Sequence, residues 1–304
     1  MLGSPYHVTP IDLSDIGNLP LKEVLPDPAT WLPAYLQFGR PLLTMPKGPE
    51  LFVTILFGLG SLATLCYGIY LIKKSKSLWP LWLMLGGILC TFYEFFDSQT
   101  LHFMYPQVGD WTALVVWGFS IPVFLVLIYP FYVTFLVLFN FHQMEMGKLT
   151  VKRLWLIYAI SFVGAMCFEP LAIHNGLWYY YGPNQPFAPM DFPIIWWFAN
   201  PAMIILVGPI VHFIWNKVLN RRFGWVMIPM VPFFLFALHN SIALPLTFTI
   251  NSTLSLLATN LGQLGAIALS FGTVAVGALF TDKYRVKDKE EVKVAVNASN
   301  SQMG

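Results

Sequence analysis

Long apolar runs separated by short polar connections dominate the chain. Each run has about 20 mostly apolar residues, the length that an α-helix needs to cross about 30 Å of hydrocarbon. The seven runs lie at roughly 51–72, 78–97, 115–141, 154–173, 192–215, 225–246 and 254–280. We therefore expect an all-α, polytopic membrane bundle of about seven transmembrane helices.

Two segments flank the membrane domain, which we place at 50–282. Residues 1–49 are rich in proline and have no apolar core, which predicts an extramembrane arm and neither a signal peptide nor a span. Residues 283–304 mix charges of both signs with Ala, Asn and Ser, which predicts a disordered cytoplasmic tail. No separate soluble catalytic domain is expected.

Basic residues indicate the membrane side of each connection. They follow the first, third and fifth runs and recur in the tail, whereas the other three connections contain no Lys or Arg. By the positive-inside rule, the C-terminus is cytoplasmic and the N-terminus lies outside. The predicted location is the plasma membrane if the source is bacterial, and an endoplasmic reticulum-type membrane if it is eukaryotic.

Composition excludes several classes of function. The chain is 57% hydrophobic and 11% charged, with a net charge of +2. Its basic residues form short clusters at the ends of the runs, without a nucleic-acid-binding motif, so we expect no nucleic-acid partner. The three cysteines fall inside runs, and no C-x-x-C or H-E-x-x-H spacing occurs, so we expect neither a disulfide framework nor a metal site.

The few strongly polar residues inside the runs predict one layer in the outer half of the membrane. Glu94, Glu169 and His239 each lie about 15 residues into an outward-running helix, which is roughly 22 Å at 1.5 Å per residue. Other polar residues either reach nearly this depth or share a helix with Glu94 or His239. They are Asn200, Asn260, Gln263, Asp97 and Asn240. The cytoplasmic half of the runs is expected to hold almost no ionisable residue.

Two aromatic outer loops, 98–113 and 175–191, are expected to cover this polar layer. Rings such as Trp111 and Trp178 suit a membrane interface, and beside a polar chamber they also suit contact with an apolar substrate. His102 falls in the first of these loops, where an exposed histidine is ordinary.

The two loops also echo one another. Glu94 precedes Tyr105 by eleven residues, and Glu169 precedes Tyr180 by eleven. This spacing hints at a duplicated pair of helices, as internal repeats do in other membrane folds.

Two stretches carry a resemblance to a known family. They are YEFFDSQTLHFMYPQVGDWTALVVWGFSIPVFLVLIYPFY (93–132) and FEPLAIHNGLWYYYGPNQPFAPMDFPIIWWFANPAMIILVGPIV (168–211). In the order and spacing of their acidic, aromatic and proline-containing motifs, they resemble the spirocyclase AveC family of integral membrane proteins. The resemblance covers roughly 90–215. It implies closure of a hydroxylated ketone to a spiroketal, with dehydration as a companion activity, in natural-product biosynthesis.

Such a reaction requires an acid, a base and stabilisation of a cation, and it requires no cofactor. Burial disfavours the charged form of a carboxyl group, so a Glu or Asp in the polar layer is able to act as the acid. The candidate catalytic residues are Glu94 and Glu169 as acids, Asp97 as a partner carboxylate and His239 as a proton relay. The candidate substrate-binding residues are Tyr105, Trp111, Trp178, Tyr180, Asn200, Asn240, Asn260 and Gln263.

Three other interpretations remain open at this stage. A protonation-initiated cyclase for terpene- or carotenoid-type substrates needs much the same carboxyl groups and rings. A small-molecule transporter would use the prolines inside the runs as helix breaks. The polar residues also suit simple hydrogen bonds between helices. The expected partners are an apolar, oxygenated small molecule, the lipid bilayer and, through the resemblance, other enzymes of a biosynthetic pathway.

Overall fold

The computed structural model describes residues 43–116, 119–181 and 184–284. The predicted arm at 1–49 and the predicted tail at 283–304 lie almost wholly outside the described residues.

Helices make up most of the described chain. Some of them follow one another directly, so that they form seven apolar helical segments, or rods, of which six are long enough to cross a membrane. The seventh rod is shorter, with an apolar part at Trp79–Tyr93. The helices are α1 (Lys47–Ser75), α2 (Trp79–Leu89), α3 (Glu94–Thr100), α4 (Val123–Ile128), α5 (Phe135–Glu145), α6 (Val151–His174), α7 (Ile195–Phe213), α8 (Met227–Ile250) and α9 (Leu256–Tyr284). The all-α bundle predicted from the apolar runs is confirmed at this level.

Irregular turns interrupt several of the rods. A 3₁₀ turn, Cys90–Tyr93, joins α2 to α3, and a π turn, Tyr129–Thr134, joins α4 to α5. Pro130 lies in that π turn and has no N–H to donate, which removes one helical hydrogen bond at this point. A second π turn, Ile214–Val218, follows α7. Turns of this kind are frequent at functional sites.

The bundle is built around α7, which packs against α5, α6, α8 and α9. This helix is apolar on nearly all sides, as expected for a central helix. Close approach to α5 depends on Gly208, because a Cβ there would lie 2.5 Å from the carbonyl oxygen of Val137. The small residue therefore sets the distance between α5 and α7.

Two short antiparallel sheets lie at one end of the bundle, which we call the loop end. The strands are β1 (Phe103–Met104), β2 (Thr112–Val116), β3 (Phe119–Pro122) and β4 (Tyr179–Tyr180). β1 pairs with β4, with Phe103 opposite Tyr180, and β2 pairs with β3. The first pairing joins the two aromatic loops into one structure.

The structure corrects the start of the third apolar run. We expected a helix from 115, but residues 112–116 and 119–122 form the paired strands β2 and β3, and the helix begins at Val123. Pro122 has an extended backbone, with φ −65° and ψ 153°. The β-branched Thr112, Val115 and Val116 favour a strand. In a short apolar run, periodicity alone does not distinguish a β-strand from the start of a helix.

Gly208→Ala should destabilise the bundle, because the new methyl group cannot fit against the α5 backbone without moving it. We expect a loss of about 1–3 kcal/mol, the usual cost of overpacking, seen as a lower thermal unfolding temperature in detergent. Gly164→Ala in α6 is the matched control, since nothing lies within 4 Å of a Cβ built there. Equal unfolding temperatures for the two variants would contradict this packing account.

Candidate functional site

A cavity of about 130 Å³ lies at the loop end, between the helices and the two aromatic loops. One water molecule needs about 10–15 Å³ by the same measure, so the cavity has room for a small organic molecule. Half of the lining residues carry aromatic rings. These are Phe57, Tyr93, Phe103, Tyr105, Phe124, Tyr129, Tyr132, Trp178, Tyr180 and Trp196.

Glu94 is buried on the cavity wall, at the first position of α3. The Tyr105 hydroxyl donates a hydrogen bond to its Oε1, and the Tyr129 hydroxyl donates one to its Oε2. Both carboxyl oxygens therefore have a phenol donor. Hydrogen bonds to an ionised carboxylate are among the strongest in proteins, and this pair fixes the orientation of the Glu94 side chain.

The two tyrosines reach Glu94 from separate parts of the chain. Tyr129 begins the π turn between α4 and α5. Tyr105 follows β1, and its ring packs edge-on against Phe124 and Trp178, at centroid distances of 5.9 and 6.2 Å. Burial, followed by the nearby charge of Glu94, raises the pKa of Tyr105 well above its usual value. Its hydroxyl therefore stays protonated and remains a donor.

Glu169 faces the same cavity from α6 and is only partly buried. Asn200 of α7, which also lines the cavity, donates through Nδ2 to Glu169 Oε1 at 3.2 Å. Glu94 and Glu169 lie within electrostatic range of one another. The described part of the wall contains no Lys, Arg or His, so two carboxyl groups share an aromatic cavity without a basic partner.

His239 lies one layer behind the wall and is buried. Its ring stacks on Trp196 at 5.2 Å and meets Tyr93 edge-on, also at 5.2 Å. Both of these aromatic residues line the cavity. The histidine that sequence analysis proposed as a proton relay is therefore separated from the cavity by two rings, although it touches its wall.

Three candidate substrate-binding residues lie apart from the cavity. Asn260 accepts a hydrogen bond from the backbone N–H of Phe187 at 2.7 Å, and Gln263 donates to the carbonyl oxygen of Phe187 at 3.1 Å. Asn240 donates to the carbonyl oxygen of Phe236 in its own helix, at 2.9 Å. The first two hold the second aromatic loop against α9, and the third bonds within α8.

Trp111 also lies apart from the cavity, in a contact that holds the first aromatic loop to α1. Its backbone N–H donates to Glu50 Oε1 at 2.6 Å, and the Lys47 ammonium lies 5.4 Å from the centre of its ring. Lys47 pairs with Glu50 at 3.0 Å and donates to the carbonyl oxygen of Gly109. Glu50 was not among the predicted site residues, because it precedes the first apolar run.

Asp97 is the remaining candidate. Its backbone lies in α3, one turn after Glu94, and its side chain falls outside the described part of the structure. Its proposed role as a partner carboxylate stays a prediction.

A polar cluster at the opposite end of the bundle corrects the expectation of a one-sided polar layer. Glu145 at the end of α5 accepts hydrogen bonds from Arg221 at 2.9 and 3.0 Å and lies 2.7 Å from Nε2 of the buried His212. Asn216 bonds to both Glu145 and Arg221. The sequence alone does not reveal this cluster, because its members come from different helix ends and meet only in the folded bundle.

Tyr129, the second donor to Glu94, was not among the residues predicted from the sequence. The available signal was the Tyr129–Pro130 pair inside an apolar run, since a proline there disturbs the helix and redirects the residues beside it. The sequence does not show that Glu94 is the partner of Tyr129, because the two residues lie 35 positions apart.

The six long apolar helices indicate a multi-pass integral membrane protein, and its described cavity is aromatic with two carboxyl groups. The chain matches no protein-family model, no curated protein and no solved structure. Within the described residues, no group of three or more His, Cys, Asp or Glu side chains is placed to hold a metal ion.

His102 is buried at the loop end, which corrects the expectation of an exposed loop histidine. Its Nε2 lies 3.1 Å from Asn251 Oδ1, and its ring stacks on Tyr181 at 5.5 Å. Its carbonyl oxygen accepts from the N–H of Tyr181 at 2.9 Å. Burial lowers the pKa of His102, while the bond to Asn251 acts in the opposite direction.

Because the folded state binds a proton at His102 less readily than the unfolded state, stability should fall as the pH drops through and below 6.5, the ordinary pKa of histidine. We expect the thermal unfolding temperature of the wild type to fall more steeply below that pH than the temperature of His102→Gln. Asn175→Gln, on the same side of the bundle, is the control. Parallel curves for His102→Gln and wild type would show that His102 does not carry this pH dependence.

Proposed function

We propose that the protein is an integral membrane cyclase or dehydratase that closes a ring, or removes water, by acid–base chemistry without a cofactor. The observation that carries this proposal is the placement of Glu94 and Glu169 on the wall of one aromatic cavity. The AveC-like motifs support a spiroketal-type ring closure in particular. Their two stretches, 93–132 and 168–211, contain both of these carboxyl groups.

The proposed reaction requires the elements that this cavity supplies. A carboxylic acid protonates a hydroxyl of the substrate, the C–O bond breaks with its electron pair on oxygen, and water leaves. The resulting oxocarbenium-type cation is captured by a second hydroxyl of the same molecule, which forms the new C–O bond. The proton of that hydroxyl returns to a carboxylate, so the net change is the loss of one water molecule. Dehydration differs only in that a C–H proton is lost instead.

Aromatic rings on the wall favour the cationic intermediate. The face of a tryptophan or tyrosine ring attracts a cation by about 0.5–2 kcal/mol, most strongly where water is excluded. Trp178, Trp196 and Tyr180 all line the cavity with the two carboxyl groups. A neutral, apolar and oxygenated substrate fits such a wall in the ground state, and its cation is held more strongly.

The orientation in the membrane is part of the same proposal. The loop end carries no basic connection between helices, whereas the opposite end carries those at Lys73–Lys76, Lys148–Arg153 and Lys217–Arg222. The positive-inside rule then places the cavity toward the outer side of the membrane. An outer or lateral opening suits a substrate that arrives through the lipid.

Transport is the second candidate, because Glu145, His212 and Arg221 form a polar cluster at the other end of the bundle. A transporter carries ionisable groups at more than one depth. Against transport stands the tight packing between the two sites, where α5 and α7 meet at Gly208 and the side chains of Val137 and Phe141 are fully buried.

Glu94→Gln and Glu169→Gln test the proposal directly. We expect each variant to accumulate an open-chain or hydrated precursor and to reduce the product at least tenfold, because general acid–base catalysis contributes roughly 10²–10⁴-fold to rate. The measurement is mass-spectrometric metabolite profiling in the native host, in a deletion strain that carries each variant at matched membrane levels.

Asp191→Asn is the matched control, since Asp191 is an exposed carboxylate at the loop end and outside the cavity. Its metabolite profile should equal that of the wild type. Wild-type profiles from both glutamine variants would contradict enzyme catalysis in this cavity. Movement of an unchanged compound across the membrane, lost in these variants, would establish transport in its place.

A further inference from the structure

The two carboxyl groups of the cavity are not equivalent. Glu94 and Glu169 lie within electrostatic range, and the described wall around them contains no basic side chain. When two carboxyl groups share an apolar cavity without a counter-ion, ionisation of both is strongly disfavoured, which favours a state in which one of the pair keeps its proton. The hydrogen-bond donors around each carboxyl group decide which one.

Glu94 has the donors that a carboxylate requires. Tyr105 donates to Oε1 and Tyr129 donates to Oε2, so both oxygens act as acceptors. If Glu94 carried a proton on Oε1, it would donate to the Tyr105 oxygen, and the Tyr105 hydrogen would need another acceptor. Among the described residues, Glu94 is the acceptor that Tyr105 reaches. The ionised form of Glu94 therefore accepts both phenol hydrogens, those of Tyr105 and Tyr129.

Glu169 is stabilised far less as an anion. Asn200 donates to Oε1 at 3.2 Å, and in the described part of the chain no second donor reaches this carboxyl group. An amide donor at this distance is weaker than a phenol donor. The other carboxyl oxygen of Glu169 is therefore the better position for a proton. Glu169 itself lines the cavity.

We propose that Glu169 holds the reacting proton, while Glu94, with its two phenol donors, acts as the carboxylate that stabilises the cation formed from an uncharged hydroxy- or oxo-substrate. Tyr105 and Tyr129 are positioning residues that keep Glu94 ionised. This assignment rests on the proposed function for its chemical meaning, although the protonation states themselves do not depend on it.

The assignment specifies each transfer in the ring closure. The Glu169 proton moves to the departing hydroxyl, whose C–O bond breaks with the electron pair on oxygen, and water leaves. The carboxylate of Glu94 stabilises the cation and remains unchanged. The second hydroxyl of the substrate forms the new C–O bond, and its proton returns to Glu169. The enzyme ends the cycle in the state in which it began.

Infrared spectroscopy tests this assignment without a substrate. The full chain, labelled with ¹³C-glutamate and reconstituted in lipid nanodiscs at neutral pH, should show the carbonyl stretch of a protonated carboxylic acid. We expect that band to disappear in Glu169→Gln. We also expect it to return in the triple variant Glu169→Gln, Tyr105→Phe, Tyr129→Phe, because Glu94 then loses both donors and binds a proton.

Tyr158→Phe is the matched control for the tyrosine changes, since the Tyr158 hydroxyl donates to the carbonyl oxygen of Phe198, at 3.3 Å, and Tyr158 does not line the cavity. Added to Glu169→Gln, it should not restore the band. Only variants whose thermal unfolding temperature and size-exclusion profile match those of the wild type are compared. This criterion separates a change of protonation from loss of fold.

Persistence of the band in Glu169→Gln, or its absence in the wild type, would overturn the assignment. Failure of the band to return in the triple variant would overturn the role of the tyrosines. The infrared result is independent of activity. If the bands behave as expected while the metabolite profiles do not change, the protonation states stand and the proposed enzyme function falls.

Discussion

The placement of two carboxyl groups in an aromatic cavity whose described wall holds no basic side chain is the constraint on which the rest of this site depends. Such groups are costly in an apolar environment unless they are neutral or hydrogen-bonded. The protein answers with phenol donors at Glu94 and an amide donor at Glu169. Each donor comes from a different element, so the site exists only when those elements are assembled.

Several features at the loop end serve this assembly. The β1–β4 pairing joins the two aromatic loops and places Phe103, Tyr105 and Tyr180 on one wall. The buried Glu50 holds the first loop to α1, and Gln263 holds the second loop to α9. These polar contacts bond backbone groups that would otherwise lie unpaired near the membrane. The loops are therefore part of the cavity as well as its cover.

Much of the fold was predictable from sequence, because a membrane-crossing helix leaves a simple apolar signal. Counting depth along the runs also brought Glu94, Glu169 and Asn200 to one level, and all three line the cavity. Depth alone does not say which way a side chain faces. Asn260 and Gln263 share that level but bond the second loop, and Asn240 bonds within its own helix.

The apolar periodicity of the chain does not encode the remaining features. The β2–β3 strands are as apolar as a helix start, and the donor from Tyr129 depends on a π turn at Pro130. The cluster around Glu145 combines the ends of two helices with a connection. For Tyr129 and for the Glu145 cluster, the deciding interaction joins residues far apart in the chain, which is why sequence periodicity predicted the helices better than the contacts between them.

We expect this cavity to bind a cation better than the neutral molecule of the same shape. Binding of a lipophilic tertiary amine and of its neutral carbon isostere, followed by tryptophan fluorescence of the protein in nanodiscs, tests it most directly, because Trp178 and Trp196 line the cavity. We expect the protonated amine to bind at least about tenfold more tightly, a difference of about 1.4 kcal/mol. That preference should be lost in Glu94→Gln and kept in Asp191→Asn. Equal affinities for the two ligands in the wild type would contradict the account.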